Sequence, residues 1–265
     1  RMHSPASQRI ASRLPSIWNL RGTPVCQFVR QGLRPKAARS SHSLVSDARH
    51  GNISTIALTG GPCAGKTTSM QHLTNSLLKI GYDVYFVPEV PTILMNGGCK
   101  YPGPNSGQQL FDFEASLLEL QMQMERSFVN VAASTKRPSV LIMDRGLMDI
   151  KAYLPEQLWT DLIAHFGLTE QQILARYDTV LHLVTAADGA EKHYTLQMPD
   201  GMKARSEAPD EARRLDALTL RSWASHPSLH VIDNSTTFHD KLQRATDCML
   251  RFLRSVRPDP GPARA

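Results

Sequence analysis

The chain has 265 residues, 41% of them hydrophobic and 20% charged, which is enough apolar content for one sizeable core. No stretch of the sequence approaches about 18 consecutive apolar residues, so we expect no integral membrane segment. The four cysteines lie far apart and form no Cys-x-x-Cys pair. This excludes a zinc ribbon and a disulfide-stapled module, and it makes a reducing compartment the default.

The formal net charge of +6 is concentrated at one end of the chain. Residues 1–46 contain eight Lys or Arg residues and no Asp or Glu, which leaves 22 basic and 24 acidic residues for the remainder. Because the remainder is nearly neutral, we expect no nucleic-acid partner.

Residues 1–50 form a basic, Ser- and Arg-rich leader that we interpret as disordered or as a transit peptide. Its apolar residues share one helical face, as in an amphipathic import signal. This pattern favours a mitochondrial location, with a cytoplasmic or plastid location as the alternative. Residues 257–265 are rich in Pro and predict a disordered tail. The folded domain is therefore expected over residues 51–256.

Apolar, β-branched runs alternate in the folded part with stretches of helical periodicity. In chain order they predict a strand at 53–59, a helix at 66–80, a strand at 83–87, a loop at 90–106, a helix at about 107–133, a strand at 139–143, helices within about 155–175, a strand at 179–185, a polar connection at 186–208, a helix from about 209 to 224, a strand at 229–232 and a final helix from 238 onward. This alternation predicts an α/β fold with a parallel five-stranded sheet and helices on both faces. Ligands of such sheets lie beyond the carboxyl ends of the strands.

Residues 60–67 (GGPCAGKT), here called the P-loop, match the Walker A pattern G-x-x-x-x-G-K-[ST] between a predicted strand and a predicted helix. Glycines let the backbone curl so that its N–H groups point at phosphate oxygens, beside a helix N-terminus. Lys66 would bridge the β- and γ-phosphates, and the Thr67 hydroxyl would ligate Mg²⁺. The alternative is a Gly-rich turn without a ligand. We expect a P-loop NTPase fold in which ATP, or GTP, is bound by Gly60, Gly61, Pro62, Cys63, Ala64, Gly65, Lys66, Thr67 and Thr68.

Two acidic strand ends complete the predicted centre. The apolar run 140–144 (VLIMD) ends in Asp144, a Walker B pattern that would hold Mg²⁺. Arg145 follows, and it would either contact the substrate or a phosphate or pair with a neighbouring acid. Glu89 ends the second strand, where it would take a proton from a substrate hydroxyl or position Mg²⁺. The alternative for Glu89 is a loop acid or a helix cap.

The polar connection at 186–208 is the candidate lid, because long irregular insertions in compact domains are often functional. A cation in it would close over the γ-phosphate and stabilise the transition state. Arg205 is the first choice for that cation and Arg213 the second, and an exposed basic loop is the alternative. The Asp233-Asn234 pair after the fifth strand would face the nucleotide base or simply form a turn.

Several segments together resemble the AAA-type P-loop family shared by the NadR ribosylnicotinamide kinases and the TRPL translocation defect proteins, and they look most like the second group. They are GGPCAGKTT (60–68), PEVPTILMNGG (88–98), DRGLMDIKAY (144–153), AADGAEKHY (186–194), RSEAPDEARRLD (205–216) and SWASHPSLHVIDNST (222–236). The resemblance implies a single P-loop domain of the nucleoside-kinase type. It also implies that Glu89, Asp144 and Arg145 serve the acceptor and the metal.

The chain departs from the NadR kinases, which tend to have an Arg shortly after the strand-two acid, where this chain has Val90, Pro91 and Thr92. We expect no second, triphosphate-tunnel-like domain of the kind that follows in the defect proteins.

These patterns favour a Mg²⁺-dependent kinase that transfers the γ-phosphoryl of ATP or GTP to an unidentified small-molecule hydroxyl. Its predicted catalytic residues are Lys66, Glu89, Asp144, Arg145 and Arg205, with Thr67 and Asp144 as metal ligands. The alternative is a nucleotide-binding switch or slow NTPase that acts through a protein partner. A ring-forming motor is disfavoured because no helical lid domain is predicted after the core.

Overall fold

Five parallel strands form one sheet with the order β2-β3-β1-β4-β5 in the computed structural model, which describes residues 51–194 and 207–256. The strands are β1 (Ile53–Thr59), β2 (Asp83–Val87), β3 (Ser139–Asp144), β4 (Thr179–Leu183) and β5 (Leu229–Ile232). Every pair of neighbours is parallel, so each connection crosses over through helical segments. The predicted α/β class and five-stranded parallel sheet are confirmed.

Eight α-helices surround this sheet in the described ranges. They are α1 (Lys66–Lys79), α2 (Val90–Asn96), α3 (Gln108–Thr135), α4 (Leu147–Lys151), α5 (Glu156–His165), α6 (Glu170–Leu174), α7 (Pro209–Ser222) and α8 (Phe238–Val256). One face of the sheet packs on α3 to α6, with Trp159 and Trp223 fully buried there. The opposite face packs on α1 and α8, through residues such as Leu73 and Met249. Each face therefore has its own apolar core.

Two helices were not expected from the sequence. The stretch 90–106 was predicted as a loop because of its Gly and Pro content, but its first part forms α2. Pro91 lies in the first turn, where a missing N–H costs nothing, and Val90 is fully buried. The helix α4 has only five residues, too few for a helical period to be recognised.

The strand register brings the functional strand ends to one edge of the sheet. Leu58 of β1 lies opposite Asp144 of β3, and Thr59 lies opposite His182 of β4. Val87, which ends β2, lies opposite Met143. The P-loop and the predicted acids therefore meet at the carboxyl edge, because parallel strands all end on the same side. No helix in the described part of the chain is long and apolar enough to cross a bilayer.

Candidate functional site

The P-loop turns away from β1 at glycines that no other residue can replace without strain. Gly60 has φ 138°, and a Cβ built on it would lie 2.1 Å from the carbonyl oxygen of Leu183. Gly65 has φ 86°, and a Cβ there would lie 2.7 Å from the Phe238 ring. Cys63 also has a left-handed φ, of 58°. A backbone held in such conformations points successive N–H groups the same way, which makes an anion-binding nest.

Lys66 folds back over this loop as a half-buried ammonium group. Its Nζ donates to the carbonyl oxygens of Gly60 at 2.9 Å and Gly61 at 3.2 Å. Burial, and next the charge of Arg145, lowers the pKa of Lys66 to about 8, although the nearby Asp144 acts in the opposite direction. The ammonium donates to carbonyl oxygens and forms no ion pair with a carboxylate in the described part of the chain, so an added phosphate would stabilise its charged form.

Asp144 lies at the end of β3 with one carboxylate oxygen unsatisfied. Its Oδ1 is buried and has no hydrogen-bond partner in the part of the chain described. Burial raises the pKa of Asp144, and the charge of Lys66 only partly opposes this. A cavity of about 470 Å³ between α1 and the end of β2 is lined by both Asp144 and Thr67. A hydroxyl and an unsatisfied carboxylate are oxygen ligands of the type that Mg²⁺ prefers, so these residues fit that ion.

Other metal sites are not apparent in the same residues. Within 51–194 and 207–256, no group of three or more His, Cys, Asp or Glu side chains is arranged to hold an ion. The Thr67–Asp144 pair therefore depends on phosphate oxygens and water to complete a coordination shell, as is usual for Mg²⁺.

Two hydrogen bonds fix the backbone of Arg145 and so orient its side chain. Its φ of 70° is left-handed, its N–H donates to the Leu58 carbonyl at 3.0 Å, and its own carbonyl accepts from Gln121 at 3.0 Å. The guanidinium donates from Nε to Glu89 at 2.6 Å, and one Nη lies 3.5 Å from the Gly60 carbonyl. The sequence left two roles open for Arg145. The structure shows the pairing with an acid, since Arg145 forms an ion pair with Glu89.

Glu89 is fixed by the same contact. It occupies the N-cap position of α2, and its other oxygen accepts from the Thr92 hydroxyl at 3.0 Å. Burial raises the pKa of Glu89, but the charges of Arg145 and Lys66 outweigh this and hold it below its usual range. Glu89 is therefore an ionised carboxylate beside the P-loop, and it is a helix cap by position as well.

Comparison with known families agrees with this geometry. A family profile described as an AAA domain matches residues 55–241, from β1 to the first turn of α8. The chain belongs to the AAA domain family. It is a nucleotide-binding P-loop protein. Lys66 and Thr67 are the last two residues of that P-loop. No curated protein matches the chain.

The AAA domain contains a buried acid that the sequence interpretation missed. Asp149 of α4 is 2% exposed and accepts from the Thr59 hydroxyl, the Gly146 N–H at 2.9 Å and the Trp223 indole at 3.2 Å. A guanidinium nitrogen of Arg145 lies 3.6 Å from it. Asp149 thus ties the end of β1, the start of α4 and the end of α7 together under the site. The sequence pattern D-R-G-x-x-D could have indicated this acid, because its last Asp lies three residues after the glycine at the N-cap of α4.

A second missed acid connects α7 to the P-loop. Asp216 is buried, and its Oδ1 accepts from the Gly61 N–H at 2.6 Å and the Thr185 N–H at 3.2 Å. The ring nitrogen Nε2 of His182 lies 3.4 Å from the same oxygen. A Cβ on Gly61 would lie 2.8 Å from Asp216, so glycine is required for this approach.

The Asp233-Asn234 pair has a packing role. The Asn234 amide donates to the carbonyls of Val184, Thr185 and Asp188, and its oxygen accepts from Lys241. The turn interpretation of this pair is therefore the one supported. Lys241 of α8 was not singled out from the sequence, because it is one lysine in a strongly amphipathic helix.

The predicted lid is only partly placed. Arg205, the first choice for the closing cation, lies outside the described residues. Arg213, the second choice, donates to the Ala187 carbonyl at 2.5 Å and pairs with Asp210. The P-loop thiol of Cys63 lies 3.9 Å from the His193 carbonyl, so the start of the connection packs over the loop.

Proposed function

We propose that the AAA domain is a Mg²⁺-dependent kinase that transfers the γ-phosphoryl group of ATP, or GTP, to a hydroxyl of a small molecule. The observation that carries this proposal is the Glu89 carboxylate, which Arg145 holds at 2.6 Å beside the P-loop. A protein that only binds a nucleotide would use Glu89 as the cap of α2 or to position Mg²⁺. A kinase needs an ionised carboxylate at such a place to orient its acceptor.

The P-loop amides and Lys66 would bind the phosphates and neutralise their charge. Thr67 and Asp144 would hold Mg²⁺, which supplies charge neutralisation at the β- and γ-phosphates. Arg145, anchored between Glu89 and the Gly60 carbonyl, would contribute a further positive charge at the same edge. The main contribution of these residues is preorganisation, because they are already in position before the phosphates arrive.

Glu89 would accept a hydrogen bond from the acceptor hydroxyl and so orient its oxygen toward the γ-phosphorus. The lowered pKa of Glu89 makes it a weak base, which suits a transition state in which the hydroxyl proton leaves late. As the bond from the acceptor oxygen to phosphorus forms and the bond to the nucleoside diphosphate breaks, that proton passes to Glu89. Orientation is therefore its larger contribution.

A second cavity has room for an acceptor. It measures about 1,120 Å³ and lies between the α2–α3 connection, the α4–α5 connection and α7, with Tyr101, Tyr153 and Leu215 in its walls. The Tyr153 ring centre lies 6.0 Å from the guanidinium carbon of Arg145. Tyr153 thus both lines this cavity and lies near Arg145, which supports transfer to a small molecule over simple hydrolysis.

One observation favours the alternative of a switch or slow NTPase. Asp216 connects the Gly61 amide to α7, so a change in the P-loop on binding would be transmitted to the surface of that helix. In this case nucleotide would bind tightly, hydrolysis would be slow and no acceptor product would form.

Product analysis distinguishes the two functions. The protein is incubated with Mg-ATP or Mg-GTP and a pool of nucleosides and vitamins, and new phosphorylated species are sought by mass spectrometry. A kinase gives a product that disappears with Lys66→Ala. Glu89→Gln should lower transfer about 10²- to 10⁴-fold and change nucleotide affinity less than about threefold. Glu119→Gln, which removes an exposed carboxylate on α3, is the control and should leave both unchanged. An unchanged rate in Glu89→Gln would contradict the role of Glu89.

We also propose the narrower kinship and the location expected from the sequence. The segments quoted above support membership of the branch that contains the NadR kinases and the TRPL translocation defect proteins. The basic leader, which lies outside the described residues, supports mitochondrial import. A fusion of residues 1–50 to a fluorescent protein tests the location, and a diffuse cytosolic signal would contradict it.

A further inference from the structure

Three consecutive carbonyl groups of the P-loop are held by donors from outside the loop. The carbonyls of residues 62 and 63 accept from the segment that follows β4, from the Thr185 hydroxyl at 2.5 Å and from the Ala186 N–H at 3.2 Å. The Ala64 carbonyl accepts from the ammonium group of Lys241, on α8, at 3.3 Å. The end of β4 and the last helix thus fix one side of the P-loop.

These bonds also set the direction of the N–H groups that would bind phosphate. A planar trans peptide bond points each carbonyl away from the N–H of the next residue. Since the carbonyls of residues 62–64 are held behind the loop, the N–H groups of residues 63–65 point to its other side. Within the described ranges, the N–H groups of Ala64 and Gly65 donate to no acceptor. Unpaired donors in a partly buried loop cost stability until a ligand satisfies them, so the held carbonyls preorganise the anion-binding nest.

Lys241 differs from the other two donors because it carries a charge. It is 2% exposed, and its ammonium group has three acceptors, one for each hydrogen. They are the carbonyl of Ala64, the carbonyl of Val184 at 2.6 Å and the side-chain oxygen of Asn234 at 2.7 Å. All three are neutral oxygens, so they satisfy the hydrogens of the ammonium group but carry no charge to balance it.

Four other ionisable groups act on Lys241. Burial lowers the pKa of Lys241 to about 8, and the charge of Asp216 on α7 partly opposes this. Arg244, on the same helix, lowers that pKa further, whereas Asp233 after β5 and Cys63 in the P-loop raise it. The charged form is therefore less stable than in water. An anion bound on the other side of the P-loop would stabilise it.

We propose that Lys241 is a positioning residue for the triphosphate: it holds the Ala64 carbonyl so that the next N–H points at a phosphate, and the bound phosphates balance its buried charge. This inference rests on the proposed binding of a nucleoside triphosphate and concerns its phosphates, whatever the base. Lys241 acts through the peptide group between Ala64 and Gly65, without touching the ligand. Its loss should weaken phosphate binding, and its charge should be coupled to that binding.

Substitutions at Lys241 test the effect on affinity. Calorimetry at pH 7 compares Mg-ATP with tripolyphosphate, which has the phosphates of ATP but no base. Lys241→Met removes the charge and the hydrogen bonds, so the affinity for both ligands should fall by the same factor, about 10- to 100-fold. Lys241→Arg keeps the charge and should restore affinity to within about fivefold. Lys79→Met, which removes a charge from the exposed last turn of α1, is the control and should change neither affinity.

Proton uptake on binding tests the coupling of charge directly. At pH 8.5, a group with a pKa of about 8 is about three-quarters deprotonated, so Lys66 alone can take up less than one proton when Mg-ATP binds. Lys241 should raise the total above one proton per nucleotide. Lys241→Arg, which stays charged, should lower the total below one. Calorimetry in two buffers with different ionisation enthalpies measures this number, and the unsubstituted protein alone gives the decisive value if a variant does not fold.

Three results would overturn the inference. Unchanged affinities in Lys241→Met would mean that the nest forms without Lys241. A loss confined to Mg-ATP would mean that Lys241 serves the nucleoside and not the phosphates. Uptake of no more than one proton in the unsubstituted protein would mean that the phosphates do not balance the charge of Lys241. The proposed kinase fails separately: phosphate binding that depends on Lys241, without any acceptor product, would support this inference and contradict the kinase.

Discussion

Two acids five residues apart show how the same residue type serves different purposes. Asp144 ends β3 with a buried oxygen that has no partner in the described residues, whereas Asp149 is saturated by donors from three parts of the chain. A saturated buried acid stabilises the fold, because each donor loses its partner if the acid is removed. An unsatisfied one costs stability and is ready for a ligand. The comparison separates residues that build the site from residues that use it.

The largest expected effect comes from breaking the saturated acid. Asp149→Ala leaves the Gly146 N–H, the Trp223 indole and the Thr59 hydroxyl without their acceptor in a buried place. We expect the free energy of unfolding to fall by about 3–5 kcal/mol, as for other buried charge networks. Urea denaturation followed by circular dichroism measures this. A loss below about 1 kcal/mol would show that Asp149 is not a structural centre.

The unsatisfied acid should behave in the opposite way. Asp144→Asn keeps the shape of the side chain but weakens the ligand for Mg²⁺, so Mg-ATP affinity should fall about 10- to 100-fold. Stability should stay the same or increase, because Oδ1 of the buried carboxylate has no hydrogen-bond partner among the residues that the structure describes. Calorimetry with Mg²⁺, and with EDTA as the control, checks this prediction. Equal loss of affinity in both conditions would remove Asp144 from the metal site.

Two glutamates of α3 differ in the same way as Asp144 and Asp149, because one lacks hydrogen-bond partners and the other has them. Glu114 is 5% exposed and has no hydrogen-bond partner in the described ranges, and burial raises its pKa to about 7. Since the folded state then binds a proton more tightly than the unfolded state, stability falls as the pH rises from about 4.5 to 7. We expect Glu114→Gln to remove this dependence and to stabilise the protein by about 1–3 kcal/mol at pH 8.

Glu125 is the matched control for Glu114. It lies on the same helix, is 3% exposed, pairs with Arg176 and accepts from the Tyr177 hydroxyl at 2.7 Å. Glu125→Gln should therefore destabilise the protein at pH 8, in contrast to Glu114→Gln. Urea titrations at pH 5 and pH 8 compare the two variants. Changes of the same sign in both would break the distinction between saturated and unsatisfied acids.

A smaller effect is expected from the pH dependence of Lys66. With a pKa of about 8 in the free protein, Lys66 is charged at pH 7 and mostly neutral at pH 9. Since the charged form binds phosphate, tripolyphosphate affinity should fall about tenfold between these pH values, with proton uptake on binding. Lys66→Arg, which stays charged, should give a flatter profile. A profile for the unsubstituted protein as flat as that of Lys66→Arg would contradict the lowered pKa.

The sequence predicted those features that depend on neighbouring residues. The bounds of β1, β2 and β5 and the P-loop between β1 and α1 follow from local patterns, and the structure has them as expected. The missed residues depend on distant partners. Asp149 contacts Thr59, which lies 90 positions away, and Asp216 contacts Gly61, which lies 155 positions away. No local pattern contains such pairs.

Helix α3 shows a different limit of sequence analysis. Apolar residues at helical spacing in α3 include Phe113, Leu117, Leu120, Met124 and Phe128, yet of these only Leu117 is buried. The buried face also contains Glu114, Gln121 and Glu125, which a hydrophobicity pattern assigns to solvent. Gln121 reaches the functional edge of the sheet, where it donates to the Arg145 carbonyl, and Glu125 pairs with Arg176 just before β4. Local rules fail here because the site requires polar groups in the interior.

The central claim is that the P-loop nest, Lys66 and the Thr67–Asp144 pair together bind a Mg²⁺-triphosphate. Calorimetric titration of the full-length protein with Mg-ATP at pH 7, beside Lys66→Ala, tests it most directly. We expect saturable binding of one nucleotide per chain, and we expect it to weaken at least 100-fold in Lys66→Ala. Absence of binding heat at millimolar Mg-ATP and Mg-GTP, or equal affinity in both proteins, would contradict it.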